Sequence, residues 1–314
     1  MSADLLGKIL SLSCAVLWAT AVLFFRKAGE RVSPITLNLI KNAVAVVLFS
    51  LTLPLLGVAL FAELATWKWI VVGASGVLGI ALGDALFFAA LNRLGAGLTA
   101  IVDCSYSPTL ILLSALFLGE PLTLELALGA VLVVGGLLLV FSPKQTTTID
   151  RKQLISGFLC GFFGIVAMAA SLVMVKPILT EVSVMWVIWW RMMWGFLGLV
   201  IWIALHPARK KIWCGLKKEL PWKVVLIGSV MGGYLATIVW LFGMRYTEVS
   251  VASVLNQLST LFIILFAALF LAEPLNRRKI SAALLGFSGA VAIFLPAGFL
   301  WRVLLGIWAI ISFD

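Results

Sequence analysis

The sequence predicts an all-α, polytopic membrane protein with ten transmembrane helices arranged as two inverted five-helix repeats. Three observations carry that prediction. Of 314 residues, 63% are hydrophobic and 11% charged, with a mean hydropathy of +1.17, whereas a soluble domain needs about 25% charged residues to solvate its surface. Apolar stretches long enough to cross a hydrocarbon core of roughly 30 Å, at about 20 residues per crossing, recur along nearly the whole chain. Finally, one phrase occurs twice, as Ala115-Leu116-Phe117-Leu118-Gly119-Glu120-Pro121-Leu122 and as Ala268-Leu269-Phe270-Leu271-Ala272-Glu273-Pro274-Leu275. The residues before the two copies match in an ungapped register, Trp69 with Trp222, Gly79 with Gly232 and Ile111 with Ile264, with about 15 identities in roughly 57 positions.

Breaks at charge clusters, Pro and Gly place the spans at residues 7–26, 34–56, 68–91, 95–118 and 122–142, then 154–175, 183–205, 222–244, 248–271 and 279–296. The first is too long for a removable signal peptide and lacks a small-residue cleavage pattern, so it is expected to stay as a span. The expected organisation is a first repeat over 1–142, a polar linker over 143–153, a second repeat over 154–296 and an apolar tail over 297–314. The tail carries Arg302 among Trp301, Trp308 and Phe313 and is read as interfacial, with a short eleventh span as the alternative. Five helices per copy is an odd number, so the second copy enters the membrane from the opposite side. Halves related in this way can expose a midplane site to either face in turn.

A second register aligns the opening helices: Gly7 with Gly157, Arg26 with Lys176, Val32-Ser33 with Val182-Ser183, and Lys41 with Arg191. Most Lys and Arg sit between spans 1 and 2, 5 and 6, 7 and 8, and 9 and 10, which by the positive-inside rule puts both termini outside. The net charge of +10 is therefore a topology and lipid-headgroup signal rather than a nucleic-acid one. Cys14, Cys104, Cys160 and Cys214 are scattered and His206 is the single histidine, so no metal site or cofactor is expected.

An ionisable residue at a helix centre costs roughly 2.5 to 3.5 kcal/mol on insertion scales, so each needs a partner or a task. Lys41, Asp84, Asp103 and Arg191 stand out. Asn38 shares a helix face with Lys41 while Asn42 turns aside, and Trp186 flanks Arg191. Asp103 and Ser107 lie on a small, polar stripe whose second-half counterparts are Asn256 and Thr260. A carboxylate that titrates in one half and has an amide in the other makes Asp103 the candidate for proton coupling. Asp84 sits beside the close-packing stripe Ser75, Gly79 and Gly83, repeated as Gly228, Gly232 and Ala236, and is expected to pair with Lys41. Tyr106, with Trp18, Tyr234 and Trp240, offers aromatic walls. Pro108 bends the helix after Asp103. The candidate substrate-binding set is Asn38, Lys41, Asp84, Asp103, Tyr106, Ser107, Trp186, Arg191, Asn256 and Thr260. For each, bundle packing is the competing role. Glu120 and Glu273 read as corners, each followed by a helix-starting Pro.

The paired Leu-Phe-Leu-Gly/Ala-Glu-Pro-Leu ends, each followed by a Gly-bearing helix (Gly129 and Gly135; Gly286), resemble the EamA-type members of the drug/metabolite transporter superfamily over residues 7–296. Lys41, Arg191 and Pro108 match the family pattern. Pro121 and Pro274, in place of a basic residue, and Leu261, in place of a Pro, depart from it. The resemblance implies ten helices around a central cavity, secondary-active export or exchange of a small metabolite such as an amino acid, often proton-linked, in the inner (plasma) membrane. It implies both termini inside, against the charge bias. The expected partners are a small-molecule substrate, membrane lipids and protons as coupling ion, with no nucleic acid, in a monomer or homodimer. No Walker-type segment is present to bind ATP. A facilitative pore or a lipid-headgroup flippase is the alternative. An intramembrane enzyme is disfavoured because the chain lacks a His pair or a nucleophile–His constellation.

Overall fold

The computed structural model describes residues 2–29, 31–61, 64–140, 150–205, 207, 209–210, 212, 220–271, 277–295, 298–299 and 302, and every regular element among them is a helix. The first half holds α1 (Ala3–Gly29), α2 (Pro34–Leu55), α3 (Thr66–Gly76), a π-helical segment (Val77–Gly83), α4 (Asp84–Asp103), α5 (Tyr106–Leu118) and α6 (Leu124–Val140). The second holds α7 (Arg151–Glu181), α8 (Val184–Leu205), α9 (Trp222–Gly228), a second π-helical segment (Ser229–Leu235), α10 (Ala236–Tyr246), α11 (Val249–Gln257), α12 (Ser259–Leu271) and α13 (Arg277–Phe294). Seven stretches are long and apolar enough to cross a membrane: Ala3–Gly29, Ile35–Leu55, Thr66–Leu91, Arg151–Glu181, Val184–Leu205, Trp222–Tyr246 and Val249–Phe270. Tyr106–Leu118, Leu124–Leu139 and Ile280–Phe294 are shorter apolar helices. The chain is thus a multi-pass membrane protein.

Local chemistry explains most boundaries. Ser33 starts α2 by accepting the Thr36 N–H on its Oγ at 3.2 Å, with Pro34 as the first helical residue. The expected span 95–118 is not one rod, because the helix breaks at Cys104-Ser105 and restarts at Tyr106. Pro108, third in α5, suits that restart, since in an unbroken helix its ring would lie against the residue-104 carbonyl and it has no N–H to give, although the corresponding break at Leu258 has Leu261 in its place. The expected turn at 91–95 carries no break in helical assignment, yet the chain doubles back there. A Cβ at Gly161 would lie 3.2 Å from Ala90 and 2.9 Å from Val102, whereas twelve residues of straight helix would separate those two by about 18 Å. Gly157 fits against Arg93 and Leu94 at that turn, and Gln153 donates to the Arg93 carbonyl at 3.2 Å. In the other half Gly7 fits against Tyr246 and Thr247, at the gap between α10 and α11.

Packing follows an exchange between halves. α1 lies on α10 and α11, as α7 lies on α4; α2 meets the second π segment as α8 meets the first; α2 meets α8 and α6 meets α13. The largest core, with Phe49, Leu53, Trp186, Ile188 and Met244, joins both halves, and Val133, Leu137, Leu258 and Ile293 form a second core under α6 and α13. The phenylalanines of the repeated phrase turn outward: Phe117 and Phe270 are 74% and 73% exposed, which suits a lipid-facing surface.

Glycine permits the closest crossings. A Cβ at Gly76 would fall 2.3 Å from the Arg191 carbonyl oxygen, a backbone atom that cannot swing away, while one at Gly135 meets nothing within 4 Å. Gly76→Ala is therefore expected to destabilise the protein by about 1 to 3 kcal/mol through overpacking. Thermal unfolding in detergent checks this, with Gly135→Ala, on an open face, expected to stay near wild type.

Candidate functional site

A cavity of about 280 Å³ lies between the halves. α1 brings Trp18, α2 Lys41 and Asn42, the π segments Gly79, Gly232 and Gly233, α4 Asp84, α5 Tyr106, α7 Ser171, α8 Arg191, and α10 Thr237 and Trp240. Both π segments border it, and single turns of π-helix recur where a helix must re-aim side chains at a site. Their glycines let helices close in: a Cβ at Gly79 would lie 2.3 Å from Ser171 Oγ, and one at Gly233 3.1 Å from Lys41 Cγ.

Arg191 is 6% exposed. Its Nη2 donates to Ser171 Oγ at 3.2 Å, and its Nη1 is buried with no hydrogen-bond partner. Lys41 holds its ammonium 5.6 Å from the centroid of the Trp18 ring, a cation–π distance. Asp84 accepts from Asn38 Nδ2 at 3.0 Å, and Asn38 Oδ1 accepts from Asn42 Nδ2 at 3.2 Å. Two readings need correction here. Asp84 is bonded by the Asn38 amide, not by Lys41 alone, and the Lys41 charge acts on it from beside the Trp18 ring. Asn42 is not turned aside: it is buried, lines the cavity and completes the amide chain.

Of the ten residues singled out from the sequence, Lys41, Asp84, Tyr106 and Arg191 share the cavity wall and Asn38 stands directly behind it. The other five lie elsewhere. Trp186 is 1% exposed and, with Trp190, donates its indole N–H to the Leu60 carbonyl, at 2.9 and 3.0 Å. Ser107 donates to Ser253 O and Gln257 Oε1, each at 3.2 Å, across the crossing of α5 and α11. Gln257, which the sequence reading missed, closes that crossing by donating to the Asp103 carbonyl at 3.1 Å. Asp103 ends α4 at the break, half-buried and outside the lining set. Asn256 keeps a buried side-chain oxygen without a partner, and Thr260 is half-buried on α12. Among the aromatic walls, Trp18, Tyr106 and Trp240 line the cavity; Tyr234 instead shares a 2.6 Å hydrogen bond with Thr52. Among the described residues no group of three His, Cys, Asp or Glu is placed to hold a metal ion. His206, Cys214 and Glu273 lie outside the described residues.

A second hollow, about 440 Å³, opens at one end of the bundle beside Asp4, Glu120, Lys176, Arg245 and Glu248. Here the corner glutamate has a specific task. Glu120 accepts from the Val249 and Ser250 N–H groups at 2.7 and 2.9 Å and from Ser250 Oγ at 2.6 Å, capping α11 from the opposite half. Lys176 donates to the Met244 and Thr247 carbonyls at the end of α10, and Thr247 Oγ1 donates to Asp4 at 2.5 Å. Leu172 and Leu241 line the central cavity, Lys176 and Arg245, four residues further along α7 and α10, line this hollow, and Val175 and Met244 are buried.

These features define a polytopic membrane protein with an ion-lined cavity bordered by both halves of the chain. Comparison with known proteins gives the family. The EamA-like transporter family model matches residues 5–142 and 155–295, and the chain belongs to that family. An uncharacterized transporter of Archaeoglobus fulgidus is 25% identical over 299 residues, covering 92% of this chain and 98% of that one. One solved protein crystal structure superposes with a TM-score of 0.77 at 17% identity, covering 94% of this chain and 98% of that one, a likeness of fold.

Glu248, outside the spans, has its carboxyl pushed above the usual glutamate value, first by burial, then by the Glu120 and Asp4 carboxylates, with Lys176 and Lys8 opposing. The folded protein therefore binds this proton more tightly than the unfolded chain. Stability is complete below the ordinary glutamate pKa and falls as pH rises from there through the raised value. Thermal unfolding against pH should show this fall in the wild type and lose it in Glu248→Gln; identical profiles would contradict the placement.

Proposed function

We propose that this EamA-family protein is a secondary-active transporter that exports or exchanges a small polar or amphipathic metabolite, an amino acid being one such size, across the cell's inner (plasma) membrane. It works by alternating access between two inverted five-helix repeats, over residues 1–142 and 154–296. The observation that carries the reading is the central cavity: both halves line it, and it holds Lys41, Asp84 and Arg191 in a bundle whose outside is apolar. Buried ionisable groups at membrane depth are costly and mark transport pathways. The exchanged packing of α1 with α10 and of α7 with α4, the paired π segments, and the matched fit of Gly7 and Gly157 against opposite turns support a two-fold relation. Seven long apolar helices and three shorter ones support ten spans.

Alternating access requires a seal on one side of the site at a time. The buried apolar side chains Leu172, Val175, Leu241 and Met244, with Glu120, Lys176 and Glu248 beyond them, serve as that seal on one face, which favours alternating access over an open facilitative pore. Opening this face parts α10 and α11 from Lys176 and Glu120. The broken helix at Cys104-Ser105 supplies the hinge on which α5 moves, and Asp103 at that break is the coupling carboxylate. Its mate Asn256 cannot titrate.

In proteoliposomes, substrate flux in wild type is expected to follow an imposed proton gradient. Asp103→Asn should retain counterflow exchange without a gradient and lose gradient-driven accumulation by roughly tenfold or more. Unchanged gradient dependence would remove Asp103 from the coupling role and leave the transport reading standing.

A further inference from the structure

The geometry points to a small organic anion, a monocarboxylate with a planar apolar body, as the substrate of the central cavity, its carboxylate received by Arg191 between Tyr106 and Ser171. This rests on the transport reading above and narrows it. Three observations carry it. First, the wall holds a cation with an unmet donor. Arg191 is more than nine-tenths buried, and its Nη1 has no protein partner although the residue borders the cavity. Such an orphaned guanidinium N–H is expensive to leave unmet, and a planar fork is the geometry that a carboxylate completes. Lys41, its ammonium over the Trp18 ring, adds a second cation.

Second, the charges on the wall do not balance: the cations Lys41 and Arg191 stand with one carboxylate, Asp84, which takes the Asn38 amide. A carboxylate without an ammonium neutralises that excess, whereas a zwitterion leaves it in place. Third, volume and walls set the body. About 280 Å³ is the space of about nine liquid waters at about 30 Å³ each, and Trp18, Tyr106 and Trp240 border it. A flat ring between aromatic faces fits that space.

Binding to the purified full-length protein, read by intrinsic tryptophan fluorescence and by calorimetry, uses three probes of one shape class: benzoate, benzamide and phenylalanine. Benzoate should bind wild type at least roughly tenfold more tightly than its neutral isostere benzamide or the zwitterion phenylalanine. Arg191→Gln should lose that preference, and Arg191→Lys, which keeps the charge without the fork, should retain part of it. Benzamide or phenylalanine binding as well as benzoate to wild type overturns the proposal, and that comparison needs no variant to fold. So does Arg191→Gln binding benzoate like a monodisperse wild type. Counterflow in proteoliposomes separates the two readings. Benzoate binding without flux retains the anion site and sinks the transporter; phenylalanine flux without benzoate binding does the reverse.

Discussion

The close crossing of α8 over the start of the first π segment is the contact on which the site depends. Gly76 lets the Arg191 backbone approach so closely that a single methyl group would have no space. One turn further, Gly79 leaves the room in which Ser171 reaches the guanidinium. In lipid there is no hydrophobic drive between helices, so association rests on tight packing and on the few hydrogen bonds that packing allows. Small residues thus do two things at once: they draw the halves together, and they set the depth at which a cation is buried.

Each interruption of a helix in this bundle must satisfy the backbone groups it frees, because the hydrocarbon offers no water. The gap between α10 and α11 does so with charged side chains from elsewhere: Lys176 on the last carbonyls of α10, Glu120 on the first N–H groups of α11. The crossing of α5 and α11 uses neutral groups, with Gln257 bridging Ser107 and the Asp103 carbonyl. Charged caps resting beside an exposed hollow can be hydrated when parted. A neutral staple deep in the bundle cannot, so it suits a pivot. The division of chemistry between these breaks matches their depth.

The helical, multi-pass architecture was legible because lipid imposes its cost on every residue that faces it, and composition records that cost. Of the residues paired in the sequence, Gly79 and Gly232 both fall where helices pack closely, against Ser171 and against Ala21 and Trp18. The cavity wall was partly legible: Lys41, Asp84, Arg191 and Tyr106 are conspicuous because ionisable and polar aromatic groups are rare in apolar runs. Asn42 was misread although the spacing marks it: it stands four residues after Asn38, on the same helix face, and its amide bonds Asn38 there. Trp186 looked like a binding aromatic, but its indole N–H serves a loop carbonyl at Leu60, a long-range need that leaves no trace in spacing. Gln257 was missed for a similar reason: its counterpart is Cys104, and nothing in the repeat marks a polar residue there.

The charges beside the second hollow are only partly duplicated in the sequence. By the two registers of the repeat, Lys176 and Glu120 correspond to Arg26 and Glu273, whereas Glu248 corresponds to Gly95 and Asp4 to Leu154. Lys176 and Glu120, which bond the backbone at the gap between α10 and α11, thus stand at positions of like charge in both copies. In lipid a freed backbone group must be satisfied by the protein, which gives those two positions a task that Asp4 and Glu248 do not share. The carboxyl crowding that raises Glu248 has no counterpart in the sequence, where a glycine and a leucine stand instead.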